Sequence, residues 1–159
     1  MAQVDKNKIK ICQTNKKAYF NYIIIEDIEC GIALQGTEVK SIRQNKFSFG
    51  DSYGRISNGS LFLVGFTIQT YNHGGTIFNH VIDQERRLLV HKQEIKRLKR
   101  KVEQKGLTLV PTKVYLKGNL IKIQISLCKG KNVHDKKDTI KQRDLDRQLK
   151  RDARNSYKY

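Results

Sequence analysis

Apolar side chains recur every second residue in some stretches of this chain and every third or fourth in others. In "LIKIQISL" (120–127), Ile121, Ile123, Ile125 and Leu127 alternate with Lys122, Gln124 and Ser126. A period of two predicts a strand with one apolar face and one wet face. "LTLVPTKVYL" (107–116) predicts its partner strand, joined through Lys117-Gly118-Asn119. Pro111 cannot donate to a ladder, which predicts an edge or a bulge there. "SYGRISNGSLFLVGFTI" (52–68) predicts a hairpin turning at Asn58-Gly59, a pair that tolerates the positive φ of a type I′ turn.

"AYFNYIIIEDIECGIAL" (18–34) is dense in β-branched and aromatic residues. It predicts two strands, or one bent strand, around Glu26–Glu29. "GTEVKSIRQ" (36–44) changes period: Val39 and Ile42 are three apart, and Thr37 can cap a short helix with Glu38 in its first turn. From Asp83 the steps become helical through Leu88, His91, Ile95, Leu98 and Val102, with Gly106 as a stop. The sum is about five or six strands with short helices, mainly β, and an oligonucleotide-binding-type barrel is the favoured closure. A split sheet covered by helices is the alternative.

Charge changes the picture. The 159 residues hold 32 Lys and Arg against 15 Asp and Glu, a net +17. Such self-repulsion points to a polyanionic partner, nucleic acid before an anionic membrane. No run approaches a membrane-spanning length, and "MAQVDKNKIKICQTNKK" offers no secretory signal. Cys12, Cys30 and Cys128 form no close pair and read as reduced thiols of a cytoplasmic protein. The histidines, 73, 80, 91 and 134, lack metal spacing with them. No metal, cofactor or catalytic residue is expected.

Two basic elements stand out. "KRLKRKVEQK" (96–105) carries six cations and one anion on an amphipathic helix, either a presented stripe or a plain solvated face. The last segment, from Lys129, carries eleven cations and five Asp. Wound as a helix, it gathers Arg143, Arg147, Lys150, Arg151, Arg154 and Lys158 within an arc of about 100°. Leu145, Leu149 and Ala153 make a narrow second row, with Tyr157 at its edge. The like-charge neighbours at i,i+4 cost a few tenths of a kcal/mol each in isolation. The tail is therefore expected to be disordered when free and helical once phosphates neutralise the arc. The expected division is a flexible N-terminus (1–12), a barrel domain (13–130) and a basic tail (131–159).

Five stretches in order, 15–43, 51–56, 86–98, 106–123 and 128–144, resemble the tmRNA-binding protein family, small protein B. The resemblance implies an RNA-binding adaptor rather than an enzyme. Its barrel would grip the tRNA-like domain of tmRNA. Its tail would enter the empty mRNA channel of a stalled ribosome as a helix, standing in for the codon–anticodon duplex at the decoding centre. A monomer is expected, with no membrane partner, since the tail has no Trp or Phe and too narrow an apolar row. The family's "EAG" glutamate falls on Glu29, its "LLLH/N" positions on Leu89 and His91, and its basic run before the tail on Lys129, Gly130 and Lys131. RNA contact is likewise implied for Lys16, Lys17, Phe20, Lys40 and Arg43. Ribosome contact is implied for His134, Asp135, Lys136, Lys137, Arg143, Arg147, Lys150, Arg151 and Arg154. Phe20 stands where the family usually has His, Asn132 and Lys137 depart from "GKK" and "DKR", and the Pro usual before "RxRKLL" is absent.

The residues are readable without the family. Glu29, an anion in a basic protein, suits a salt bridge or a base amino group. His91 on the apolar side of the expected helix suits a half-buried packing role or stacking on a splayed base. Lys40 and Arg43, three apart, suit phosphates. The carboxylates Glu26, Asp27 and Glu29 cluster on one strand region without an acid–base partner elsewhere, unlike a nuclease site. A plain ribosomal protein is compatible with composition and is set aside only by the motif set.

Overall fold

The computed structural model describes residues 8–73, 75 and 77–156. Nine strands and four helices follow one another among them. The strands are β1 (Ile9–Thr14), β2 (Tyr22–Ile32), β3 (Phe47–Ser48), β4 (Tyr53–Ser57), β5 (Ser60–Val64), β6 (Thr67–Ile68), β7 (Arg86–Leu89), β8 (Thr108–Lys117) and β9 (Leu120–Gly130). The helices are α1 (Lys16–Asn21), α2 (Gly36–Arg43), α3 (Lys92–Lys105) and α4 (Val133–Ser156).

β9, β2, β7, β5, β4 and β8 pair in turn, and β8 pairs back to β9. The ring is closed, which is the expected mainly β barrel. β1 adds outside it on β8, from Ile9↔Lys117 to Thr14↔Lys113. It thereby draws residues 9–12 out of the segment expected to be flexible; residues 1–7 lie outside those described. β3 and β6 form a separate two-stranded ribbon.

Several expected features hold. β8 and β9 form the long hairpin, and the bulge falls between Pro111 and Lys113. Ile123, Ile125 and Leu127 are buried, as the alternation requires. Asn58 and Gly59 turn β4 into β5 with φ of 48° and 71°. Gly106 closes α3 in the left-handed region at φ 59°.

Others are corrected. The run from Ala18 to Asn21 is helix rather than strand, because Asn15 Oδ1 accepts the Ala18 amide and starts a turn. The single long strand begins only at Tyr22 and is bent by a bulge between Ile24 and Glu26. Gln35, not Thr37, caps α2: Glu38 Oε2 accepts the Gln35 amide at 2.8 Å, while Thr37 Oγ1 pairs with His80 Nδ1 at 2.9 Å. The helical steps from Asp83 mislead. Leu88 is a strand residue facing the core, and the helix begins at Lys92 with His91 as its N-cap. Ser126 on the supposedly wet face is buried, bonded to Thr112 Oγ1 and to Asp27 Oδ1.

The core joins Leu61, Leu63, Leu88, Leu98, Leu109, Ile123, Ile125 and Leu127 to three clustered rings, Phe47, Phe49 and Phe66, with centroids 5.5–6.0 Å apart. A smaller cluster of Ala18, Val110 and Cys128 seats α1 against β8 and β9. Between α2 and β7 lies a buried ion pair. Arg86 Nε reaches Glu38 Oε1 at 2.8 Å, both side chains being 1 % exposed. The remaining guanidinium hydrogens go to the carbonyls of Phe66, Val81, Ile82 and Gln84. A buried charge tolerates its loss of water only with such full pairing.

Candidate nucleic-acid interface

Strand register assembles the first surface. Leu89 on β7 stands opposite Gly31 on β2, Gly31 opposite Lys122 on β9, and Lys122 opposite Tyr115 on β8. The four residues form one row across the outer barrel wall. A Cβ at Gly31 would sit 3.1 Å from that of Leu89, so the missing side chain is what lets Leu89 lie over the row. Leu89 stays 56 % exposed, an apolar side chain offered to solvent on a charged wall.

Glu29, two residues before Gly31, lies in the next row opposite Gln124. Its Oε2 accepts the Tyr115 hydroxyl at 2.6 Å, and Lys117 Nζ lies 3.2 Å and Lys122 Nζ 4.0 Å from Oε1. The Tyr115 bond, then Lys117, hold the carboxyl below the usual carboxylate range against the opposing pull of burial. Burial and the Glu29 charge push the Tyr115 phenol up in turn. The arrangement yields a carboxylate that is fixed, ionised and still open to solvent at its rim. It can accept from a base amino group while the two lysines meet phosphate.

α2 borders this surface. Arg43 Nη2 donates to the Asn119 carbonyl at the β8–β9 turn, and Lys40 Nζ lies 5.1 Å from the Tyr71 ring centroid. His91, two residues beyond Leu89, is exposed at the start of α3. It is not on the helix's apolar side, so the half-buried packing role falls away.

The second surface lies at the other end of the same β2–β9 ladder, where Tyr22 pairs with Gly130 and Ile23 with Lys129. From Tyr22 to Gly31 the strand runs about 30 Å at about 3.3 Å per residue. Lys16 and Lys17 are exposed on α1, and Lys17 Nζ pairs with Asp51 Oδ1 at 2.6 Å. Lys131 is a tether as much as a charge: its amide donates to Asn21 O, and its Nζ to Tyr19 O and Thr139 Oγ1. Gly130 is exposed with open space around its Cα.

α4 leaves from this end. Asp135 Oδ2 accepts the Asn132 amide at 3.1 Å and so caps the helix it stands in, a structural use of a residue marked out for ribosome contact. The Arg143 guanidinium lies 5.3 Å from the Phe20 ring, so the aromatic ring at the family's usual His position meets the tail. His134, Lys137, Arg143, Arg147, Lys150, Arg151 and Arg154 are exposed and Lys136 partly so. Arg147 also pairs with Asp144 at 3.3 Å. Leu145 and Leu149 remain 50 % and 59 % exposed, so the apolar row does not pack on the barrel. Lys158 of the basic arc and Tyr157 at the edge of the apolar row lie outside the described residues.

The basic stripe of α3 is partly held down. Glu26 takes Arg97 at 2.5 Å and Lys101 at 2.6 Å, and Lys99 pairs with Glu103. The carboxylates that clustered in the sequence are thus turned to separate tasks: Glu26 toward α3, Asp27 toward Ser126, Glu29 toward Tyr115. Sequence reasoning missed Tyr115 and Lys117 as partners of Glu29. Their places along β8 could not tell which strand lay two ladders away.

Residues 12–155 match the SmpB protein family. A Treponema denticola SsrA-binding protein is 44% identical over 151 residues, covering 95% of this chain and 97% of its own. Those of Trichodesmium erythraeum and Carboxydothermus hydrogenoformans are each 48% identical, over 95% and 93% of this chain and 97% and 99% of theirs. A chain from a structure of tmRNA and SmpB in the bacterial ribosome superposes with a TM-score of 0.64 at 43% identity, covering 76% of this chain and 85% of that one.

Proposed function

This chain belongs to the SmpB family, and from that membership we propose how its two surfaces divide the work. It is an RNA-binding adaptor of trans-translation that binds tmRNA and acts with it on the ribosome. The barrel wall around Glu29, Leu89, His91, Lys40 and Arg43 takes the tRNA-like domain. The end formed by Lys16, Lys17, Phe20, Lys129, Gly130 and Lys131 faces the decoding centre, and α4 enters the empty mRNA channel. There His134, Asp135, Lys136, Lys137, Arg143, Arg147, Lys150, Arg151 and Arg154 meet ribosomal RNA.

One observation carries this division: two cation-rich surfaces stand at opposite ends of the β2–β9 ladder, far enough apart to hold two RNAs at once. The protein works as a cytoplasmic monomer and performs no chemistry on its RNA. Among the described residues no helix is long and apolar enough to cross a membrane. The unit that folds is the barrel with β1 on its wall, residues 9–130, with 131–159 as the ribosome-directed extension.

A pull-down from a tmRNA-containing lysate followed by RNA sequencing tests the reading. Recovery of mainly tmRNA at low salt is expected, with affinity falling somewhat under one log unit per phosphate contact for each log unit of salt. Recovery of ribosomal RNA alone would make the chain a plain ribosomal protein.

A further inference from the structure

Alternation along β4, β5 and β7 sends Ile56, Leu61, Leu63 and Leu88 toward the core and turns the residues between them outward. The register sets Arg55 opposite Phe62 and Phe62 opposite Arg87. One cross-strand row therefore carries an aromatic ring between two guanidinium side chains. Phe47, Phe49 and Phe66 are buried in the core, whereas Phe62 faces the other way and is only half-buried. It has no ring or cation contact among the described residues. Arg55 is held by Glu85 at 2.6 Å. Arg87 is exposed and enters no ion pair among the described residues.

Arg87 also lines an open groove of about 520 Å³ between the β4–β5 turn, β7 and the start of α3, with Asn58, Ser60, Leu89, Lys92 and Lys96. Lys92 and Lys96 are exposed and, among the described residues, without an ion-pair partner. Four apart on one helix, they stand together and repel. Glu94 lies about 200° round the helix from Lys92 and does not relieve them. Cations gathered without a counter-charge match a phosphate backbone, and a ring set among them is a platform on which an unpaired base stacks. Leu89 belongs both to this groove and to the row with Gly31 and Lys122, so the face continues the first surface. We propose that the outer face of β4, β5 and β7 extends the grip on the tRNA-like domain: Phe62 stacks one unpaired base, and Arg87, Lys92 and Lys96 hold the phosphates around it. The proposal rests on the RNA-binding reading above and lengthens its first surface.

The chain contains no Trp, so Phe62→Trp places a single indole on this face. In the full chain, tmRNA quenches the emission of that indole, and added salt restores it as the complex dissociates. Phe62→Leu keeps apolar bulk and loses the ring; its affinity for tmRNA falls about 5-fold or more, the lower end of what one stacked base contributes. Arg87→Gln changes an exposed side chain and leaves stability nearly as it was. It lowers the salt slope of tmRNA binding by about one, the loss of a single phosphate contact. Circular dichroism checks that each variant is folded, and were Phe62→Leu to unfold, the indole and Arg87→Gln decide. Unquenched emission in the tmRNA complex, or unaltered tmRNA binding by folded Phe62→Leu or by Arg87→Gln, overturns the platform. Quenching by ribosomes and not by tmRNA gives the face to a ribosomal component and overturns it too. If the unaltered chain fails to bind tmRNA at all, the functional reading fails instead.

Discussion

Tyr115 donates its hydroxyl to Glu29 Oε2 at 2.6 Å, across the strand that separates them. The bond reaches from β8 over β9 to β2, so the geometry of one carboxylate depends on the order of three strands. Tyr115→Phe leaves the ring to pack and removes only the donor. We expect a stability loss of about 1 kcal/mol, and a clear weakening of tmRNA binding without change in ribosome binding. The fold depresses the Glu29 pKa, so this stabilisation is present above the ordinary carboxylate value and lost as pH falls through the lower folded one. Denaturation midpoints followed from neutral pH downward will show a shallower acid limb in Tyr115→Phe. An identical limb would mean that the bond does not hold the carboxylate.

The Glu38–Arg86 pair makes a sharper stability prediction. Both side chains are 1 % exposed. Glu38→Ala strands a buried guanidinium and costs about 3–5 kcal/mol. Glu38→Ala with Arg86→Met removes both charges and recovers most of that loss. By contrast Asp51→Ala, which cuts the exposed pair with Lys17, leaves the urea midpoint where it was.

Truncation after Lys131 removes α4 and leaves the closed ring whole. The shortened chain will bind tmRNA with unchanged affinity and fail to support tagging of stalled chains. Surviving tagging would refute the role given to the tail. The isolated 131–159 peptide carries its own cap in Asp135 but also the like-charge rows, and its Leu row has nothing to pack on. Circular dichroism should show it largely unfolded alone and helical with RNA; full helicity alone would show that the rows do not oppose the helix.

The thiols offer a fourth check. Cys30 and Cys128 are wholly buried, and burial pushes each up to about 12. Cys12 on β1 is only half-buried; burial raises it and Lys10 opposes the rise. The thiolate is the reactive form. N-ethylmaleimide should therefore label Cys12 alone in the native protein and all three after denaturation, as read by mass spectrometry.

How much of this was legible beforehand varies with range. The β8–β9 hairpin, the Asn58-Gly59 turn and the Gly106 stop follow from neighbours in sequence, and the structure keeps them. The start of α3 was misplaced because Leu88 and Ile95 are both buried, one from a strand and one from a helix, and burial alone has no period. The basic pair Arg86-Arg87 reads as surface. Only the fold supplies Glu38 and four carbonyls to bury one of the two. At the candidate site, Glu29, Leu89 and His91 could be marked on the chain, but Tyr115 and Lys117 join Glu29 from 86 and 88 residues away.

The ring also closes late. β2 finds its longest partner in β9, with Glu29 opposite Gln124 and Tyr22 opposite Gly130, so nearly the whole chain must leave the ribosome before the barrel can shut. A copy cut short before Leu120 therefore lacks both the closing strand and the helix behind it. Such a fragment has no closed ring, and a break that early yields prey for proteases rather than a competitor of the finished molecule.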